Sequence, residues 1–554
     1  MHIQRCNQIL ILICCSFLFF QFNLAAQDHN MWTNLGIYGG HIEDFAVDPA
    51  NPDRIFVATY LGRGLYFSRD GGASWQALEM TNPRFEGEDT FNEHAVYAVA
   101  IAASNPDIVW VAHNYWVAKS TDGGKTWRHI QNRTMQRDCA ACGSSGDDKR
   151  LCKSIAIHPT NPDFVYVGTA GAQGSDTGGA VYVTADGGTS WAKLNQGDDL
   201  DYTVEDVAID PGHPDTIWAV TSNNGDGGYF DGSVYRSENG GQLFAGIQPK
   251  PVTGGILSVA PKPDDPGTVF VACTLGIVQL KDDNSRWNAS YPVPDSLLAS
   301  DVVFAPSDTS IIYGSWQTPV SLGGDGLAKI TRGVFDGTAW SWQTCAPESR
   351  DATAFNCLAV HPDNADMLLG GDASLGVFVS RDAGQNWAPS NQGLDAVIVY
   401  DVDVETGHSA HMLAASGSGL YERPDADSPW IRRHNGTFYS ARFLPFSGEA
   451  YLGGGYGFVS RTSDNGATWS YSNSLGNVFV HDIAVDPVDI DQVYITTGML
   501  GRQVQRSLDG AATFQAVLDG VNQAVPHPWR KTEADVAGGI PVGPPGFEPG
   551  TERL

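Results

Sequence analysis

Apolar positions fall in short runs separated by Gly, Asp, Asn and Pro, a pattern that predicts many short strands joined by tight turns. One paired unit recurs. Phe45-Ala46-Val47-Asp48-Pro49 leads into Ile55-Phe56-Val57-Ala58, and Ile155-Ala156-Ile157-His158-Pro159 leads into Phe164-Val165-Tyr166-Val167. Strand alternation sends Phe45 and Val47 to one side and Ala46 to the other, so both sides are apolar. Such a strand must be covered on two faces. One unit cannot cover itself, so its neighbours must stack against it. Related stretches begin near Val99, Val207, Leu257, Val302, Leu358, Val402, Ala441 and Ile483, which makes ten copies. Their spacing of about 40 to 55 residues is that of a four-stranded propeller blade. The prediction is an all-β β-propeller of about ten four-stranded blades. It is either a single ten-bladed ring, or a seven-bladed propeller plus part of a second.

A second motif follows the paired strands. Ser68-Arg69-Asp70-Gly71-Gly72-Ala73-Ser74-Trp75 recurs as Ser120-Thr121-Asp122-Gly123-Gly124-Lys125-Thr126-Trp127. It returns at Thr184 to Trp191, Ser380 to Trp387 and Thr462 to Trp469, with weaker copies at Ser237 to Phe244 and Ser507 to Phe514. The carboxylate can accept turn amides, the second glycine can take positive φ, and the Trp anchors the turn in apolar packing. Asp70, Asp122, Asp186, Asp382, Asp464 and Asp509 are therefore assigned structural roles. A catalytic group is needed once, not at every repeat.

Charge changes the picture of partners. Asp and Glu number 63 against 33 Lys and Arg, a formal charge of −30. Such a surface repels phosphate backbones, so no nucleic-acid partner is expected. Acidity suits solubility and is compatible with Ca2+, but no cofactor and no metal site is required. Arg5, the apolar stretch from Ile9 to Phe22 and Leu24-Ala25-Ala26 read as a signal peptide over 1–26, with cleavage. The apolar run is short of the roughly 20 residues that span a bilayer. No later segment is apolar enough to span, so an extracellular or periplasmic protein without a transmembrane segment is expected. Oxidation is then available to the cysteines. Cys345 with Cys357 is the expected disulfide. Cys139, Cys142 and Cys152 share one loop, with a bridge to Cys152 expected and zinc as the alternative. Cys273 reads as buried and inert.

The repeat region is taken as 27–520 and the remainder, 521–554, as a tail without function. Within the tail, Gly546-Phe547-Glu548-Pro549-Gly550 matches an in-frame reading of the T-arm of a bacterial tRNA gene, which suggests a chain cut before its natural end. Trp32-Thr33-Asn34-Leu35 resembles an outer strand such as Trp75-Gln76-Ala77-Leu78 that lacks a blade of its own.

The S-x-D-x-G-x-T-W turns at blade spacing resemble the Asp-box (BNR) repeat propellers. That superfamily includes sialidases, two-propeller xyloglucanases, sortilin-type receptors and photosystem II assembly factors. Sialidases carry an Arg-Ile-Pro type motif, whereas Arg54-Ile55-Phe56 lacks the proline. Sortilin-type ectodomains match the count of ten blades. The two-propeller xyloglucanases are similar in their Trp strand, a turn like Gly39-Gly40 and the Asp-Pro blade. The resemblance implies a catalytic aspartate in a T-D-x-G-G pattern after the second strand. Thr59-Tyr60-Leu61-Gly62-Arg63 stands there, so Tyr60 occupies the aspartate's place.

Propeller geometry nominates the loops between second and third strands. They offer Tyr60, Arg63, His113, Tyr115, Trp116, Tyr229 and Trp316 as ligand-binding candidates, with Asp372 as a weak catalytic candidate. The long loop from Thr81 to His94 adds Glu86 and Glu88. Aromatic groups beside carboxylates suit sugar stacking and acid–base work on a glycosidic bond. The expected function is an exported binding or scaffold module for carbohydrate or protein. The alternative is a glycoside hydrolase of the xyloglucanase-like type.

Overall fold

The structure, a computed structural model, describes residues 38–517 apart from internal stretches, the longest being 79–94, 131–150 and 318–327. Among the described residues ten four-stranded antiparallel sheets follow one another, each a simple meander apart from one short hairpin inserted in the fourth. In blade 1 the strands are Ile42–Val47, Ile55–Thr59, Leu65–Ser68 and Gln76–Ala77. The first strand of each blade is innermost. In blades 2 to 7 these are Val96–Ile101, Cys152–Ile157, Thr203–Ile209, Ile256–Pro261, Leu298–Ala305 and Phe355–His361.

Each inner strand packs on the next, and that of blade 7 packs back on that of blade 1. The ring therefore closes at seven, and the single ten-bladed arrangement does not hold. The inner strands of blades 8 to 10, Val399–Val404, Phe438–Phe443 and Phe479–Val485, pack in a second series of their own.

Closure depends on residues 390–396, just past blade 7. Gly39 pairs with Asp395 in a parallel bridge. Its N–H donates to Leu394 O at 2.7 Å, and its carbonyl accepts from Ala396 N at 3.1 Å. Trp75 N donates to Gln392 O, and Trp75 Nε1 donates to Ser390 O at 2.7 Å. Ile42, Val57, Tyr66 and Trp75 of blade 1 share a core with Leu369 and Val377 of blade 7. Burial of this kind, at roughly 25 cal/mol per Å² of apolar surface, drives the stacking that the two-sided strands require.

The Asp turns hold the outer strands. Asp70 Oδ1 accepts from Ser68 Oγ at 2.7 Å and Ser74 N at 2.9 Å, while Oδ2 accepts from Ser74 Oγ at 2.6 Å. Gly72, at φ +85°, donates to Ser68 Oγ. The same figure forms at Asp122, Asp186, Asp382, Asp464 and Asp509, with Asn239 in the fourth blade. These bonds hold the Asp186 and Asp509 carboxyls down at about 2. The carboxylates are consumed by their own turns, as the repetition implies. Asp122→Ala leaves two backbone amides and two hydroxyls without their acceptor. It is expected to cost about 1–3 kcal/mol, read as a lower urea midpoint. An unchanged midpoint would refute this role.

The cysteine expectations need correction. Cys345 and Cys357 are both buried free thiols. Cys345 ends the outer strand of blade 6 beside Gln385 Nε2, whereas Cys357 sits in the inner strand of blade 7 among the residues packed on blade 1. Nearness in sequence does not bring them together, because they belong to opposite edges of neighbouring blades. Cys152 is also a buried free thiol, pushed up to about 12 by burial, while Cys139 and Cys142 lie outside the described residues. Cys273 is fully buried, as read from its strand. Among the described residues no helix is long and apolar enough to cross a membrane. Residues 1–26 and 521–554 lie outside the described residues, as do Trp32 to Leu35.

Candidate functional site

The start of every inner strand carries one figure. The register of each inner strand slips by one residue after its first pair, or after its second in blades 4, 6 and 10. In the ring the segments are Ile42-Glu43-Asp44-Phe45, Val96-Tyr97-Ala98-Val99, Cys152-Lys153-Ser154-Ile155, Val204-Glu205-Asp206-Val207, Ile256-Leu257-Ser258-Val259, Ala299-Ser300-Asp301-Val302 and Phe355-Asn356-Cys357-Leu358. Blades 8 to 10 supply Val399-Tyr400-Asp401-Val402, Phe438-Tyr439-Ser440-Ala441 and Val480-His481-Asp482-Ile483. The second residue is the bulged one, and a bulge re-aims a side chain out of the pleat. The third is small or acidic and turns toward the neighbouring blade.

Where the third residue is aspartate, it ties blades together. Val99 N donates to Asp44 Oδ2 at 2.9 Å, Val259 N to Asp206 Oδ2 at 3.0 Å, and Leu358 N to Asp301 Oδ2 at 2.8 Å. Ala441 N donates to Asp401 in the same way. The bulges lie at the strand end where Ile42 pairs with Thr59, beside the loop that carries Tyr60.

On that side of blade 1 a cluster of polar and aromatic groups forms. The His41 ring lies 5.3 Å from that of Tyr60, and Tyr60 lies 5.9 Å from Tyr97. Lys153 Nζ sits 4.4 Å over the Tyr97 ring and 3.9 Å from Glu205 Oε2. His41 is fixed from behind. Its Nε2 lies 2.8 Å from Asn356 Nδ2 and 3.3 Å from Glu43 Oε1, so a neutral ring accepts from the amide and a protonated ring donates to the carboxylate. Tyr60 N donates to His41 O at 3.0 Å.

His41 and Tyr60 form one wall of a cleft of about 400 Å³ between the ring and blades 8 and 9. Gly40, Ser374 and Ala396 contribute to its lining on the ring side, and Tyr400, Ser418, Thr437 and Tyr439 form the other wall. The Tyr400 and Tyr439 rings meet at 5.0 Å between centroids, tilted by 49°. Burial, and then Tyr400, push the Tyr439 phenol up, so its hydroxyl stays a neutral donor. None of the described lining residues is a carboxylate. Aromatic faces with hydroxyl, imidazole and backbone groups suit a neutral, polyhydroxylated ligand. Among the described residues no cluster of three or more His, Cys, Asp or Glu is arranged to hold a metal ion.

Of the nominated residues, Tyr60 reaches the cleft and is 40% exposed. Three others are corrected. His113 is 2% exposed and packs edge-on against His129. Trp316 is buried, in the core between blades 5 and 6, with its indole N–H donating to Thr331 Oγ1. Asp372 is fully buried, and its Oδ1 accepts from Ser374 N at 2.8 Å and Leu375 N at 2.9 Å, so it shapes a turn. Second strands end deep in the blade, and the residues there meet neighbouring strands before they meet solvent. Arg63, Glu86, Glu88 and Tyr115 lie outside the described residues, and so do the side chains of Trp116 and Tyr229. His41, Glu43, Tyr97, Lys153, Glu205, Asn356, Tyr400 and Tyr439 were not nominated. All but His41, which precedes Ile42, stand at the second place of the repeated apolar–variable–small-or-acidic–apolar figure.

No family model matches the chain. It is 22% identical to a probable oligoxyloglucan-reducing end-specific xyloglucanase of Neosartorya fischeri, over 88% of this chain and 65% of that protein. It is 22% identical to the corresponding enzyme of Emericella nidulans, over 70% of this chain and 51% of the other. The chain thus spans less than two thirds of the length of these relatives. Among solved structures, the GH74 xyloglucanase of Xanthomonas campestris superposes with a TM-score of 0.58 at 16% identity, covering 88% of this chain and 81% of that one. A GH74 enzyme of Niastella koreensis gives 0.51, also at 16% identity, over 87% and 79%. At such identities the structural likeness establishes the propeller fold alone.

Proposed function

We propose that this protein is a glycoside-hydrolase-type propeller that acts outside the cell on a β-glucan of the xyloglucan class, held in the cleft between the ring and blade 8. The observation that carries the reading is the cleft, whose walls of His41 and Tyr60 against Tyr400 and Tyr439 occur in a chain similar to named xyloglucanases over most of its length. Hydrolysis needs two carboxyl groups flanking the scissile bond. On this reading Glu86 and Glu88, from the 81–94 loop, are the proposed acids. The Asp-turn repeats support a reading as a BNR-type propeller, and the proposed export signal is residues 1–26.

A second reading, retention of the glycan without cleavage, rests on a specific observation. The described lining carries no carboxylate, and Tyr60 stands where the xyloglucanase resemblance puts an aspartate. Incubation with xyloglucan and mixed-linkage β-glucan, read by reducing-end release and by retention on insoluble glucan, separates the two. Release abolished by Glu86→Gln with Glu88→Gln supports hydrolysis. Retention without release supports the binding reading, and neither signal removes both. In either case Tyr400→Ala, which deletes one aromatic face of the cleft, is expected to weaken glycan affinity about threefold to tenfold by titration calorimetry.

A further inference from the structure

One contact repeats wherever a blade meets the next. Ala46 and Phe56 of blade 1 share a core with Val96 and Val99 of blade 2. In the same way Ala156 and Tyr166 of blade 3 pack with Val204 and Val207 of blade 4. The next blade's turn seals the second-strand ring, as where Tyr166 Oη donates to Gly240 O at 3.1 Å. Phe56, Trp110, Tyr166, Trp218, Phe270 and Tyr451 are all buried at this place. The second series leaves the contact half-made at both ends. On blade 8, Val399, Val402 and Val404 of the inner strand are 40%, 50% and 42% exposed. Their counterparts Phe438 and Ala441 on blade 9, and Val480 and Ile483 on blade 10, are buried. On blade 10 the opposite face is open. Ala484 is exposed, and Tyr494 is half-buried, its hydroxyl donating to Gln492 Oε1 of its own blade. Asp482, with a side chain 61% exposed, stands where Asp44, Asp206, Asp301 and Asp401 accept an amide of the next blade.

We propose that this chain pairs with a second copy of itself, the open face of blade 8 in one protomer packing on the open face of blade 10 in its partner. The reverse contact forms at the same time, so two sets of three blades close one six-bladed ring. Three features carry this. The two open faces are the two halves of one contact that the chain already makes between its own blades, so each copy holds what the other lacks. Val399 and Val402 of one protomer meet Ala484 and Tyr494 of the other, as Val96 and Val99 meet Ala46 and Phe56. Asp482 gains Val402 N as the amide that Val99, Val259, Leu358 and Ala441 supply elsewhere. Finally, propellers close with about four to eight blades, so three do not close alone and six do. A two-fold axis makes both contacts identical and leaves neither apolar face in water. The pairing is independent of what the cleft binds.

The test is the mass of the full chain in solution by sedimentation velocity, with Val402→Lys and Ala484→Glu as variants. Both side chains are exposed in the single chain, so neither change disturbs a core, and an unaltered urea midpoint of the monomer checks this. The wild type is expected to run at twice the mass of one chain at micromolar concentrations. Each variant buries an unmatched charge in both contacts and is expected to weaken the dimer about tenfold or more. Mixing the two variants is expected to recover about tenfold of that loss, because the mixed pair has one unaltered contact and one in which Lys faces Glu. A wild type that stays monomeric leaves the faces to another occupant and overturns the pairing. So does a dimer that neither variant weakens, or one that Val402→Lys alone disrupts, since the latter joins blade 8 to blade 8. Mass that keeps growing past two chains with concentration overturns the closed six-bladed ring.

Discussion

Gly40→Val is expected to destabilise the ring by about 3–5 kcal/mol and to abolish glycan capture in the cleft. Gly40 holds φ +141°, which a β-branched residue resists. A Cβ there would sit 2.5 Å from Ala396 Cβ and 2.9 Å from Ala396 O, so backbone as well as side chain must move. Ala396 belongs to the segment that bonds Gly39 and closes blade 7 on blade 1. Both residues line the cleft, so the same displacement separates its walls. Gly337→Val supplies the control. Gly337 holds φ +96° with nothing within 4 Å of its added Cβ, so that variant carries strain without overlap. Urea midpoints and glycan retention are compared for both. If Gly40→Val is no more harmful than Gly337→Val, close packing at the seam is not what closes the ring.

The second large effect is a loss of stability as pH rises. Burial pushes the Asp44 carboxyl up to about 8, although the Val99 and Phe45 amides pull it down. Burial likewise takes Asp206 to about 7 and raises Asp301. In the unfolded chain these groups release their protons near pH 4. Between that value and the folded one the native ring holds protons that the unfolded chain has lost. Their contribution to stability is therefore full below about pH 4 and declines as pH climbs through 7 and 8. Each aspartate keeps some exposure, so the combined loss between pH 6 and 9 is placed at about 2–4 kcal/mol. Unfolding by urea across that range should show a falling midpoint. Asp44→Asn should flatten the fall even though losing one amide acceptor lowers its starting stability. A flat wild-type profile, or an undiminished slope in Asp44→Asn, would disprove the assignment. The Asp turns act in the opposite window. Their carboxyls are held low in the fold, so their contribution is full above about pH 4 and is lost as pH falls toward 2.

Sequence reading succeeded where the information is local. The two-sided apolar strand of Phe45 to Val47, the Pro turn after it and the Ser68–Trp75 turn each specify their own geometry within about eight residues. Repetition then supplied the blade. The same reading misplaced His113, Trp316 and Asp372, because a position beside a predicted loop does not reveal how far the strand end is sunk among its neighbours. It also paired Cys345 with Cys357 from their separation alone, when the blade boundary between them sends the two thiols to different cores. Tyr60 is legible because it opens the loop between the second and third strands, where propeller geometry puts ligand contacts. Tyr400 and Tyr439 were passed over because each looks like an ordinary residue at the start of a strand.

Taken alone, the sequence determined the all-β class, the four-stranded unit, its count and the structural duty of the turn aspartates. All of these follow from contacts between residues close along the chain. The tertiary structure decided that the ring closes at seven, since closure depends on Gly39 and Gly40 meeting residues about 355 positions away, and backbone approach at that separation leaves no periodic mark. It decided the site as well. His41, Tyr60, Tyr400 and Tyr439 come from three blades, and only the closed ring, with blade 8 set beside it, brings their rings to one cleft.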